Sequence, residues 1–140
     1  MTKGKPISDI ECWRLDGAGR TAAFASFDGG VPALIHFGRS LPAGEDLQTF
    51  ARLTTPNISG GQLDWLVPLT LQPTAATGWQ GHPGIVLADG DGVAVEPDLR
   101  LEGAAVSSDR IEWIAGDSAM IRLSVTARLD KAGLLYLHTT

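Results

Sequence analysis

Along AMIRLSVTARL, residues 119–129, the chain changes character at every step. Ala119, Ile121, Leu123, Val125, Ala127 and Leu129 fall on one face of an extended strand, and Met120, Arg122, Ser124, Thr126 and Arg128 fall on the other. A period of two with one apolar face predicts a half-buried antiparallel strand. DLRLEG repeats the device with Leu99 and Leu101 against Asp98, Arg100 and Glu102, and RIEWI sets Ile111 and Trp113 against Arg110 and Glu112. Turn formers separate these runs: Asp28-Gly29-Gly30, Asp89-Gly90-Asp91-Gly92, Gly116-Asp117 and Asp130-Lys131-Ala132-Gly133. Many short strands punctuated in this way predict an all-β fold, an antiparallel β-sandwich spanning 11–140 behind a short N-terminal extension, 1–10.

Helical spacing is confined to EDLQTFARL, residues 45–53, where Leu47, Phe50 and Leu53 recur at every third position. A loop holding one turn of helix explains it as well. Residues 42–61 therefore read as an extended connection, since TTPNISGG has no period. LLYLHTT, residues 134–140, reads as a strand that stops with no turn, cap or polar tail after it. An apolar edge ending so abruptly is the expectation for a sandwich truncated at its C-terminus.

Composition narrows the classes of function. With 140 residues, 44% of them hydrophobic and 19% charged, the chain is long and apolar enough for one core. Eleven basic against sixteen acidic residues leave a net charge of −5, which disfavours nucleic-acid binding through phosphate contacts. No basic amphipathic stretch suits a membrane surface, and no apolar run has membrane-spanning length. Cys12 is the only cysteine, so no internal disulfide forms. MTKGKPISDIECW lacks the apolar stretch of a signal peptide, and a cytoplasmic location is expected.

Catalytic chemistry finds no foothold. There is no G-x-S-x-G, no H-E-x-x-H and no C-x-x-C, and His36, His82 and His138 lie far apart, so neither catalytic residue nor metal nor cofactor is expected. Cys12 beside Trp13 reads as a buried structural thiol, and His36 as a sheet residue with a satisfied ring. DGDG, residues 89–92, reads as a hairpin turn rather than a calcium loop. GAG, residues 17–19, has no helix after it and is no phosphate cradle. Trp13 and Trp113 sit in strand patterns and belong to the core, and core is favoured for Trp65 in LDWLVPLTL too. Trp79 differs, because in GWQGHPG, residues 78–84, it stands between glycines with no alternation around it. Its indole either stacks on a sugar while Gln80 and His82 supply hydrogen bonds, or folds back as a loop anchor. Trp79, Gln80, His82 and Trp65 are the candidate substrate-binding residues.

Two stretches resemble a known family. CWRLDGAGRTAAFASFDGGVPALIHFGRSLP, residues 12–42, is similar to the opening of microbial α-galactosidases of glycoside hydrolase family 36, with Trp13, a hairpin at Asp28-Gly29-Gly30 and a strand ending in Phe37-Gly38. LDWLVPLTLQPTAATGWQGHPGIVLADGDG, residues 63–92, resembles its second landmark, a run leading through a Gly-rich loop to a proline, here Pro83. The resemblance covers residues 12–140. It implies a supersandwich-like N-terminal domain, non-catalytic by itself, packed against a C-terminal TIM barrel that carries both catalytic carboxylates of a retaining hydrolase. It further implies an α-galactoside or related sugar as the ligand of the intact enzyme, and homo-oligomer assembly. The sequence departs from the family where an arginine and an acid usually precede that proline: Trp79, Gln80, Gly81 and His82 stand there instead. The alternative is a stand-alone carbohydrate-binding module that uses Trp79 and Trp65 as platforms.

Overall fold

The computed structural model describes residues 7–55, 67–118 and 121–140. Strands β1 (Ile10–Gly17), β2 (Arg20–Phe27) and β3 (Ala33–Arg39) form an antiparallel sheet in the order β1-β2-β3. The first strand opens at Ile10, and residues just before it are tied to the body: Asp28 Oδ1 accepts from the Ser8 and Asp9 amides at 3.0 and 3.1 Å. Each hairpin closes on two residues with positive φ, Ala18 (51°) and Gly19 (70°), then Asp28 (50°) and Gly29 (73°). Ala18 and Gly19 are the whole of the first connection, and two left-handed residues in a two-residue loop give the turn whose twist matches that of paired strands. GAG is such a turn.

The connection after β3 corrects the extended reading of 42–61. Leu47–Thr54 is a helix, α1, of eight residues. Its N-terminus is fixed by Asp46, whose Oδ1 accepts from the Gln48 and Thr49 amides at 3.1 Å. Two of the helix's orphan N–H groups are thereby satisfied. Residues 56–61 of that stretch lie outside the described residues.

Beyond it, β4 (Leu87–Ala88) and β5 (Ala94–Val95) make a short hairpin around DGDG. Asp89 Oδ1 accepts from the Asp91 and Val93 amides at 2.9 Å, so the carboxylate is spent on shaping the turn. Strands β6 (Arg100–Val106), β7 (Arg110–Gly116), β8 (Arg122–Leu129) and β9 (Leu135–Thr139) form the second antiparallel sheet in that order. A register shift between Leu101 and Gly103 marks a bulge in β6.

The period of two now acquires its partner surface. From the second sheet Ile111, Trp113, Val125, Ala127 and Leu129 point inward and meet Leu15, Ala22 and Phe24 of the first. Trp113 is fully buried, with the Phe24 ring 4.9 Å and the Trp13 ring 5.7 Å away, both edge-on. Edge-on aromatic pairs contribute about 0.5–1.5 kcal/mol each beyond the area they bury. The alternate residues form a polar outer face, where Glu112 accepts from Ser124 Oγ at 2.6 Å and Arg122 pairs with Glu102 at 2.8 Å. Two antiparallel sheets facing across one apolar core are a β-sandwich, and the protein is all-β in class.

Strand β2 is buried on both faces. Ala22 and Phe24 face the second sheet, while Ala25 packs with Ile10 beneath Ala51 of α1, and all six residues from Thr21 to Ser26 are buried. Alanines there hold the sheet surface low enough for a helix to lie on it. The molecule accordingly has a third, partial layer.

Candidate functional site

A strap between the sheets carries the glycine-framed loop. Thr70 bridges Ala33 beside β3, and the Leu71 amide donates to Pro32 O at 2.8 Å. Gln72 Nε2 then donates to Thr139 Oγ1 of β9 at 2.6 Å, so the strap touches both sheets within three residues. From Thr74 the chain makes a 3-10 turn, Ala75–Thr77, and returns when the Gly84 amide donates to Pro73 O at 2.8 Å.

Each glycine of GWQGHPG answers a separate steric demand. Gly78 ends the 3-10 turn at φ 89°, a left-handed conformation that costs glycine least. At Gly81 a Cβ would lie 2.7 Å from Trp79 Cζ2, so the indole lies against the bare backbone. At Gly84 a Cβ would lie 2.7 Å from Gln72 Oε1 and 2.9 Å from Pro73 Cδ, where the loop's two ends meet. The shape is set before any ligand arrives.

Trp79 is half-buried, and its Nε1 donates to His82 O at 3.1 Å. The indole is therefore folded back as a loop anchor, with its single polar atom used inside the loop. Gln80 and His82 are exposed beside it. His82 Nδ1 donates to Pro83 O at 2.9 Å, and a carbonyl only accepts, so in the neutral ring Nε2 is the acceptor. Three of the four candidate contacts thus share one loop. Trp65 lies outside the described residues.

The loop divides two hollows. On one side is a cavity of about 700 Å³ whose wall includes Phe27, Val31, Thr70, Thr74, Gly78 and Leu99. On the other is a smaller one of about 230 Å³ reached by Thr74, Gly81, Pro83 and Ile85. Thr74 borders both and is only 2% exposed. Neither Thr70 nor Thr74 was a candidate from sequence, because a threonine hydroxyl becomes informative only when burial takes its water away.

Charge at the rim of the larger cavity is compensated. Asp28 at the rim of the larger cavity accepts from the Ser8 amide and hydroxyl and from the Asp9 amide. Arg100 pairs with Asp98 at 3.0 Å. Elsewhere, hydrogen bonding from Arg14 holds the Asp16 carboxyl below its ordinary range, and Thr21 Oγ1 adds a bond at 2.5 Å. Cys12 is half-buried, and burial followed by the charge of Asp46 pushes its thiol up, away from the reactive thiolate. Among the described residues no group of three or more His, Cys, Asp or Glu is placed to hold a metal ion, and no helix is long and apolar enough to cross a membrane. No family model matches the chain, and neither a curated protein nor a solved structure matches it.

Proposed function

We propose that this β-sandwich is the non-catalytic N-terminal domain of an α-galactosidase-like retaining glycoside hydrolase, which lends the loop 78–84 to a sugar cleft built mainly by a catalytic barrel. The resemblance supplies the substrate class and the partner. The observation that carries the reading is the loop itself: it is closed by its own hydrogen bonds, it turns Trp79 inward, and it leaves Gln80 and the His82 ring exposed. A rigid lip presenting one amide and one imidazole acceptor is equipped to bind sugar hydroxyls at small entropic cost. Carboxylates at the loop are absent from residues 78–84, so hydrolysis falls to the barrel. Homo-oligomer assembly through the sandwich belongs to the same proposal.

The test is kinetic. The 140-residue chain alone leaves an aryl α-galactoside intact, and hydrolysis by that chain rejects the division of labour. In the protein joined to its barrel, Gln80→Ala with His82→Ala raises KM about tenfold, the loss of ~1.4 kcal/mol of binding, while kcat holds. An unchanged KM removes the loop from the cleft.

A further inference from the structure

Two hydroxyls beside the larger cavity have nothing to bind. Thr70 Oγ1 and Thr74 Oγ1 are both buried without a hydrogen-bond partner, and both residues line the same hollow of about 700 Å³. Buried polar groups without partners are uncommon in folded proteins, and each marks a place where water, an ion or a ligand completes the structure. Cavities of roughly 300–1,000 Å³ are the usual size of small-molecule sites. We propose that this cavity binds a neutral polyol of monosaccharide size, with Thr70 and Thr74 as its hydrogen-bonding edge.

Neutrality follows from the rim. The guanidinium of Arg100 is engaged by Asp98 at 3.0 Å, and the Asp28 carboxylate already takes three bonds from Ser8 and Asp9, so an ionised ligand meets no uncommitted countercharge there. The remaining wall carries no charge and is mostly apolar, with Phe27, Val31, Val67 and Leu99 in it beside the polar Gln72 and Thr77. Hydroxyls on one edge and C–H surface on the other match a pyranose or an inositol. Both threonine oxygens are covered in the ligand-free protein. A turn of about 120° about χ1 carries Oγ1 to another of the three staggered positions without moving the backbone, and the proposal requires one such turn to bring it to the cavity. This site shares only Gly78 with the lip of residues 78–84, and neither Gln80 nor His82 lines it, so the two proposals are tested separately.

The protein is titrated with galactose, glucose and myo-inositol while threonine, valine and leucine methyl signals are followed by NMR. At least one polyol is expected to shift Thr70, Thr74, Val31 and Leu99 saturably. Thr74→Val keeps the shape and removes the oxygen, so it weakens that binding about tenfold or more and raises the ligand-free melting temperature. If Thr74→Val does not fold, Thr70→Val carries the same two expectations. The proposal is overturned if no polyol shifts these methyls, or if the variant binds as tightly as wild type. A fall in the ligand-free melting temperature also overturns it, because the hydroxyl then already has a water. Shifts confined to the Trp79 indole and Gln80 side-chain amide signals, followed in the same titration, overturn it as well, while leaving the lip intact as a sugar contact.

Discussion

Gly81 shows how one missing carbon positions a large ring. A Cβ there would meet three indole atoms of Trp79 at 2.7–2.8 Å, closer than real side chains approach one another. Gly81→Ala therefore has to push Trp79 off its seat and break the bond from Nε1 to His82 O. Overpacking of this kind typically costs about 1–3 kcal/mol. The expected outcome is a lower melting temperature together with a red shift of tryptophan emission as the indole moves toward water. An unchanged spectrum would mean that the ring does not rest on Gly81. A second residue-level effect concerns Asp16, held by Arg14 at 2.7 Å through both Nε and Nη2. Its pKa in the folded protein lies below the ordinary 3.8, with the Arg14 hydrogen bond as the largest cause. A lowered carboxylate pKa stabilises the fold above the unfolded value and stops doing so as pH falls through the folded value. Asp16→Asn is thus less stable than wild type at neutral pH, and the gap closes as pH drops below about 4. Denaturation at both pH values checks the sign. The effect is modest, because the Asp16 side chain is 48% exposed and solvent screens the pair.

Strands β7 and β8 were legible from sequence and α1 was not, and the difference is physical. Ile111, Trp113, Leu123, Val125, Ala127 and Leu129 alternate with polar residues because one face of their sheet meets the core and the other meets water. Strand β2 has no water on either face between Thr21 and Ser26, so TAAFAS shows no alternation to announce the helix that covers it. Its hint lies in side-chain size: Ala23 and Ala25 are small where a half-buried strand would carry polar groups. In α1 itself Leu53 stays 79% exposed and only Ala51 is buried, so the apolar spacing at Leu47, Phe50 and Leu53 overstated the packed face. The stronger signal was the cap at Asp46. Contact between Ala25 and Ala51 gives a direct test. Ala51→Leu adds volume where Ile10 and Ala25 leave none, and is expected to cost about 1–3 kcal/mol in urea denaturation. Leu53→Ala, on the exposed side, should be nearly silent. The site was legible only in part for a related reason: glycines announced the loop, whereas its use of Trp79 as an anchor depends on a bond to a backbone carbonyl that no residue type encodes.

At the scale of the molecule, Trp113 decides whether the two sheets stand or fall together. It extends from β7 across the interface to Trp13 of β1 and Phe24 of β2, which links an inner strand of the second sheet to an edge strand and the central strand of the first. Neither sheet has another fully buried aromatic in this cluster besides Phe24, and a three-stranded sheet with one face stripped of its partner has little to hold it. Trp113→Ala removes that link and leaves a cavity, a change that costs about 3–5 kcal/mol in well-packed cores. Domains of this size are commonly stable by only about 5–15 kcal/mol, so the variant should be close to unfolding. Trp113→Phe is expected to cost less than half as much. It keeps an aromatic ring against Phe24 and deletes an indole N–H that is buried without a partner, offsetting part of the lost volume. Hydrogen exchange of amides in β2 and β8 distinguishes one cooperative unit from two. In the wild type β2 and β8 should lose protection with one common free energy, and in Trp113→Ala with a common but lower one. Protection that survives in β8 while β2 exchanges freely would show a second sheet stable by itself, with the first merely resting on it.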